Sequence, residues 1–289
     1  MSVNVKLGND TINNVDSVRL RSADVEGEYC KFQEKIDVPY VEYVMDNSDN
    51  IISATIHNTN TIPNSIFSSN TTLKTINIDT SCTKTGVSSF AHSYIQTVNG
   101  FSQSNITYFG YSSFLDCQQL VLDTLPQNTR FIGQACFQSC FKVTFSVFPH
   151  TITRIAPYAF YGCTQVTFSS LPDNVNAVEV YVFGGCSGIT TFDTNNASKI
   201  EDYAFYNCTG LLSVVLSANT SELRSSAFSN CTSLTSITCK ATTPPTIQSS
   251  TFQSVPPDCA IYVPADSVSA YKAATNWSTR ADYIQAIPS

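Results

Sequence analysis

The sequence predicts a solenoid, a β-rich stack of repeated turns whose strands lie side by side in a parallel sheet. Three observations predict it. A Phe-x-x-Cys-x-x-apolar pattern occurs six times: Phe114, Cys117, Leu120; Phe137, Cys140, Val143; Phe160, Cys163, Val166; Phe183, Cys186, Ile189; Phe205, Cys208, Leu211; and Phe228, Cys231, Leu234. The steps between the phenylalanines are 23, 23, 23, 22 and 23 residues, a constancy that marks internal repetition. Other positions keep the same period. Pro126, Pro149 and Pro172 fall twelve residues after a repeat phenylalanine, Ile132, Ile155, Val178, Ile200 and Leu223 fall five before the next, and Ala159, Ala204 and Ala227 fall one before it. One such turn cannot bury its apolar face alone, whereas a stack of them can.

Along the chain, residues 1–45 lie outside the repeat. Residues 3–7 alternate and read as a strand, Gly8-Asn9-Asp10 as a turn, residues 15–20 as a second strand and 29–32 as a third. This small β module is similar to the short N-terminal modules of structural proteins in bacterial viruses, which open with a strand, a turn and a Val-Xaa-Leu strand. That similarity implies an anchor to other virion proteins. Read from its residues alone, the module is a simple N-terminal cap. Residues 46–60, from Asp46-Asn47-Ser48-Asp49-Asn50 onward, read as a linker grading into a degenerate first turn.

The solenoid runs over residues 61–258. Phe67, Asn70, Leu73, Ile76 and Ile78 form a weaker copy with Asn in the Cys place; Phe90, Ile95, Val98 and Phe101 form a looser one, and Phe252 begins a partial one. About eight turns result, with atypical ends, as a capped stack requires. Runs such as Ser236-Ile237-Thr238-Cys239 and Val166-Thr167-Phe168 read as strands. Stacked at roughly 4.8 Å per turn, they make a parallel sheet roughly 40 Å long. The copies at Phe114, Phe137 and Phe160 place an apolar residue at offset eight (Leu122, Phe145, Phe168) instead of nine, so their register departs from the rest.

The unit Ala204-Phe205-x-x-Cys208-x-x-Leu211-x-x-Val214-x-Leu216 resembles the BspA-like leucine-rich repeats of surface proteins from gut and oral bacteria. The tail resembles that family's C-terminal cap: Ala241-Thr242-Thr243-Pro244-Pro245, Ile261-Tyr262-Val263-Pro264-Ala265, Tyr271-Lys272-Ala273, Trp277 and Ile284. The resemblance implies a leucine-rich-repeat solenoid, mainly β with a parallel sheet and short helical turns, closed by a β/α cap over 259–289. It also implies a role in adhesion or recognition, and it names no ligand.

Composition narrows the function. Charged residues make up 13% of the chain, about half the usual fraction of roughly 25%. The net charge of −7 disfavours nucleic acid and anionic membrane, which call for clustered Lys and Arg. No apolar run approaches the roughly 20 residues that span a bilayer. Met1-Ser2-Val3-Asn4-Val5-Lys6-Leu7 lacks the basic start and apolar core of a secretory signal. Of eleven cysteines, six belong to the repeat, where small buried thiols are ordinary core residues. Asn70 fills the same slot, and the odd total leaves at least one cysteine unpaired, so free thiols are expected.

No constellation for catalysis emerges. His57, His92 and His150 read as loop residues without partners at catalytic or metal spacing. Cys136 and Cys140 with His150 lack a fourth zinc ligand, and Cys136 occupies the repeat's Ala slot. Gly184-Gly185 lacks the Lys-Ser/Thr of a phosphate loop. No cofactor is expected and the chain reads as non-enzymatic. One surface feature stands out. Seven residues after each phenylalanine come Val121, Thr144, Thr167, Thr190, Leu212 and Thr235. If offset six points inward, offset seven points outward. Thr144, Thr167, Thr190 and Thr235 are therefore the candidate binding face, for a protein or glycan on a cell surface, although Thr also suits any exposed parallel strand. Two settings fit. One is a bacteriophage fibre, decoration or host-attachment protein in the virion, attached through residues 1–45 and compatible with a homo-oligomer. The other is a bacterial cell-surface or extracellular adhesin.

Overall fold

One phenylalanine per turn builds a continuous column through the core. In the computed structural model, which describes residues 3–4, 16–18, 40–57 and 59–288, the rings of Phe67, Phe90, Phe114, Phe137, Phe160, Phe183, Phe205, Phe228 and Phe252 stack in sequence. Successive centroids are 4.9–6.1 Å apart. Tyr43 closes the column edge-on at Phe67, 6.1 Å away, and Trp277 closes it at Phe252, 5.6 Å away. The aliphatic positions around the column are buried in one connected core. A fully buried side chain of this size contributes roughly 1.5–3 kcal/mol, and the period delivers one in each turn.

The chain bends sharply around each phenylalanine. The residues two before and two after it adopt positive φ in turn after turn: Ser112 and Asp116 (53° and 56°), Ala135 and Ser139 (52° and 59°), Tyr158 and Gly162 (61° and 74°). Left-handed backbone costs roughly 1–2 kcal/mol for a residue with a Cβ. Here the stacking recovers that cost in hydrogen bonds. The bend aims the N–H groups of Tyr158, Phe160 and Gly162 at the carbonyls of Val180, Val182 and Gly184 in the next turn, at 2.9, 3.1 and 2.8 Å. The ladder cysteine bonds in the other direction. Its thiol donates to the phenylalanine carbonyl of the preceding turn: Cys140 to Phe114 at 3.0 Å, Cys163 to Phe137 at 2.9 Å, Cys186 to Phe160 at 3.1 Å.

Strands form on two sides of the stack. A ladder of two-residue strands passes through the buried position five before each phenylalanine, which is aliphatic except at Thr85 and Phe109. It runs from Thr61–Ile62 through Lys84–Thr85, Tyr108–Phe109 and Phe131–Ile132 to Arg154–Ile155, and again from Ala177–Val178 to Thr246–Ile247. The expected parallel sheet lies on the other side, but it is two sheets. One holds Ile51–His57, Thr75–Ile78 and Thr97–Asn99; the other holds Thr191–Asp193, Ser213–Leu216, Ser236–Cys239, Ala260–Val263 and Ile284–Ala286. The expected strand at residues 166–168 is not formed; only an isolated bridge, Ser170 to Asp193, occurs nearby. The physical reason is the register noted above. In the turns of Phe205 and Phe228 the inward residues sit at offsets six, nine and eleven (Leu211, Val214, Leu216; Leu234, Ile237, Cys239), so the last two are spaced by two, as a strand requires, inside Ser213–Leu216 and Ser236–Cys239. In the turns of Phe114, Phe137 and Phe160 they sit at six, eight and eleven (Val143, Phe145, Phe148 in the middle one). Two outward residues then fall inside the segment, and the proline at offset twelve removes a donor.

At the N-terminal end, Tyr40–Met45 runs antiparallel to Ile51–His57, which pairs in parallel with Thr75–Ile78. Val3–Asn4 and Asp16–Val18 pair with Tyr40–Met45. These fall within the first two strands expected from the sequence; the expected strand at 29–32 lies outside the described residues. Residues 46–60, expected as a linker grading into a degenerate turn, hold a tight turn, in which the Asp46 carboxylate accepts the N–H groups of Ser48 and Asn50, followed by the seven-residue strand Ile51–His57. The helices lie near the C-terminus, the longer ones being Val268–Ala273 and Trp277–Tyr283. Tyr271 OH donates to the Ala241 carbonyl at 2.8 Å, and Trp277 Nε1 to that of Pro245 at 2.8 Å, tying the cap to the last turns.

Candidate functional site

The outward position one residue past the inward offset six is exposed in every turn considered: Val121, Thr144, Thr167, Thr190, Leu212 and Thr235. Leu212 N–H donates to Thr190 O at 2.7 Å and Thr235 N–H to Leu212 O at 2.9 Å, so these three are successive rungs. Thr144 and Thr167 instead donate to Leu122 and Phe145, one residue further along the preceding turn, at 2.8 and 2.9 Å. They stand on the strandless middle turns, not on a regular sheet. Two of the hydroxyls turn back to the scaffold: Thr235 Oγ1 donates to Leu212 O at 3.0 Å and Thr144 Oγ1 to Leu122 O at 3.5 Å. The middle turns carry apolar exposure too, with Val147 74% and Val121 52% exposed.

The thiols are placed for structure. All ten cysteines described are free and buried. Burial pushes Cys117 and Cys163 up to about 12, and raises Cys140, Cys186 and Cys208 well above the ordinary thiol value. A nucleophilic cysteine needs the opposite shift and an exposed sulfur.

The histidines differ from their sequence reading in part. His57 ends a strand instead of lying in a loop, with Nε2 3.5 Å from Glu42. His92 lies in a turn, and its Nδ1 is 3.2 Å from Asp116 Oδ2. These two occupy the same left-handed slot of adjacent turns, a pairing invisible without the stack. They border a depression of about 130 Å³ with Ser93. Ser93 is buried, however, and its Oγ lies 3.6 Å from Cys117 Sγ, so it does not serve His92 as a nucleophile. Among the described residues no group of three His, Cys, Asp or Glu side chains could hold a metal ion.

One feature was not read from the sequence. Tyr158, Tyr181 and Tyr203 each lie two before a repeat phenylalanine and stack, with centroids 5.0 and 4.6 Å apart and planes at 17° and 2°. Tyr161 and Tyr206, one after their phenylalanines, pack edge-on against Tyr181 at 5.5 and 6.1 Å. The intervening position is Gly184, where a Cβ would come within 2.9 Å of the Tyr161 ring and 3.1 Å of the Tyr181 ring. All five tyrosines are half-buried. Crowding out of water, together with the neighbouring phenols, raises the Tyr181 hydroxyl above its ordinary value. The signal lies in the sequence, since these tyrosines keep the repeat period, but on half-exposed positions where burial does not fix the residue type.

A model described as BspA type Leucine rich repeat region matches six copies, over residues 38–121 and 130–257. No curated protein matches the chain. Among solved structures, a leucine-rich repeat protein from Bacteroides ovatus is 17% identical with a TM-score of 0.50, covering 77% of this chain and 69% of that one. A leucine rich cell surface protein from Faecalibacterium prausnitzii is 16% identical with a TM-score of 0.39, covering 87% and 95%. The pneumococcal vaccine antigen PcpA is 15% identical with a TM-score of 0.36, covering 84% and 80%.

Proposed function

The chain belongs to the BspA-type leucine-rich repeat family, whose model spans more than half of it, and from that premise we propose that it is a non-enzymatic recognition protein. The observation that supports this is the exposure of one side chain per turn at Val121, Thr144, Thr167, Thr190, Leu212 and Thr235. Such a line suits an extended peptide or a glycan, which meets one group in each turn. Each hydrogen bond is worth about 1 kcal/mol, so the array, not any single threonine, carries affinity. The buried, hydrogen-bonded thiols favour this reading over chemistry.

The family resemblance favours a bacterial cell surface as the setting. Among the described residues no helix is long and apolar enough to cross a membrane. In this reading residues 61–258 form the recognition stack, 259–289 its cap, and 1–45 an N-terminal cap. The second reading is a bacteriophage virion component in which residues 1–45 are the anchor. It rests on the similarity of that module to those of virion proteins.

The test is adhesion to host cells by the full chain. Replacing Thr144, Thr167 and Thr190 together with Lys lowers adhesion about a hundredfold, whereas each single replacement lowers it only about fivefold. Normal adhesion by the triple variant places binding elsewhere. Antibody against the chain labels intact bacteria in the first reading and purified particles in the second. In the second, removing residues 1–39, which spares the strand Tyr40–Met45 and the Tyr43 contact with Phe67, abolishes incorporation.

A further inference from the structure

The stack of Tyr203, Tyr181 and Tyr158 stops at its N-terminal end, because the same slot of the preceding turn holds Ala135. Tyr158 has ring partners at Tyr181 and Tyr161 and, among the described residues, none on the side of Ala135. A depression of about 410 Å³ lies in this region, lined by Gln134, Ala135, Gln138, Tyr158, Tyr161 and Tyr181. Its volume falls in the range of roughly 300–1,000 Å³ typical of small-ligand sites.

We propose that this depression binds a neutral sugar, one pyranose ring taking the place that a fourth stacked tyrosine would occupy. The site is separate from the threonine face and stands without it. The tyrosines repeat every 4.6–5.0 Å, so one further ring continues the column at the same spacing. An aromatic face is electron-rich and attracts the C–H face of a pyranose. Tyr161 stands edge-on to Tyr158 and to Tyr181, with planes at 68° and 85°, which makes a corner. Gly184 leaves room for that corner, and the packing fixes the rings in advance, so little side-chain freedom is lost on binding.

The rim supplies selectivity. Gln134 is exposed and Gln138 half-buried, and each amide both donates and accepts, as paired sugar hydroxyls require. Among the described residues no Lys, Arg, Asp or Glu lines the depression. A carboxylate or phosphate therefore finds no counter-charge, and the ligand class is neutral. An aromatic side chain from a protein partner also stacks on tyrosine, but it leaves the two amides without partners.

The test uses the full chain with methyl glycosides of glucose, galactose and N-acetylglucosamine, read by saturation-transfer NMR. N-acetylneuraminic acid and N-acetyltyrosinamide serve as acidic and aromatic comparisons. Ala135→Tyr fills the slot; residue 135 sits at φ 52°, close to the 61°, 54° and 59° of Tyr158, Tyr181 and Tyr203, so the backbone accepts it. Tyr158→Ser removes the ring and installs the residue that the slot holds at Ser112 and Ser226. At least one neutral glycoside is expected to bind, with its ring protons saturated, and each variant to weaken it about tenfold or more. The triple threonine variant should bind the glycoside normally, so failure of the threonine face and failure of this site are read separately. The proposal is overturned if no neutral glycoside binds, if the acidic or aromatic probe binds more tightly than all of them, or if either variant binds as the unmodified chain does.

Discussion

The thiol of Cys163 donates to the carbonyl oxygen of Phe137 across 2.9 Å, 26 residues back along the chain. That carbonyl also accepts the N–H of Cys140, at 3.1 Å, so one oxygen joins its own turn to the next. The ladder cysteine is thus a small donor as well as a core residue. Asn70, in the same slot, uses its side chain differently: Oδ1 accepts the N–H groups of Thr72 and Leu73 at 3.0 and 2.7 Å.

Cys163→Ala is expected to cost about 1–2 kcal/mol in denaturant melts, for one lost hydrogen bond and its packing. A null effect would mean that the thiol bond contributes nothing. The thiols should resist alkylation until the chain unfolds. A Cys140–Cys163 disulfide in a non-reduced peptide map would falsify the reduced ladder.

Alkali should destabilise the fold. The Cys117 and Cys163 thiols are held at about 12 against an ordinary value of 9.0, because burial disfavours the thiolate. Above the ordinary value the unfolded chain releases protons that the folded chain keeps. Stability from this source is therefore complete below pH 9 and is lost as pH rises from 9 to 12. The slope approaches about 1.4 kcal/mol per pH unit for each thiol. Urea melts compared on either side of pH 9 read it; a flat profile there contradicts the burial of the thiols.

Phe160 stacks between Phe137 and Phe183 at 5.7 and 6.1 Å and is fully buried. Phe160→Ala should cost roughly 3–5 kcal/mol, as buried Phe truncations do. A loss below about 1 kcal/mol in the same melts would remove Phe160 from the core.

Tyr271→Phe keeps the ring of the cap and deletes its hydroxyl. The Ala241 carbonyl then loses its 2.8 Å donor, at a cost of about 1–3 kcal/mol. If the midpoint of thermal unfolding does not fall, the Tyr271 hydroxyl contributes nothing to holding the cap.

The inward half of this molecule was legible in the sequence. Every turn meets the same neighbours, so Phe114, Phe137, Phe160 and their counterparts must be large and apolar at one spacing, with Cys117, Cys140 and Cys163 small beside them. Burial imposes that requirement residue by residue, and the 23-residue period records it. The outward half was legible only in part. Thr144, Thr167, Thr190 and Thr235 were read as outward and are exposed, because alternation near a known inward residue is local.

The sequence by itself therefore determined the stack, its period, its core and its C-terminal cap. Only the tertiary structure decided where the sheet breaks, why His92 meets Asp116, and that three tyrosines face one another beside an empty slot at Ala135. Those outcomes depend on pairing between residues more than twenty positions apart, and on left-handed backbone in slots that Ser, Asp, Tyr or Ala all fill. Hydrogen bonds between turns select that conformation, and they arise only when the turns are stacked.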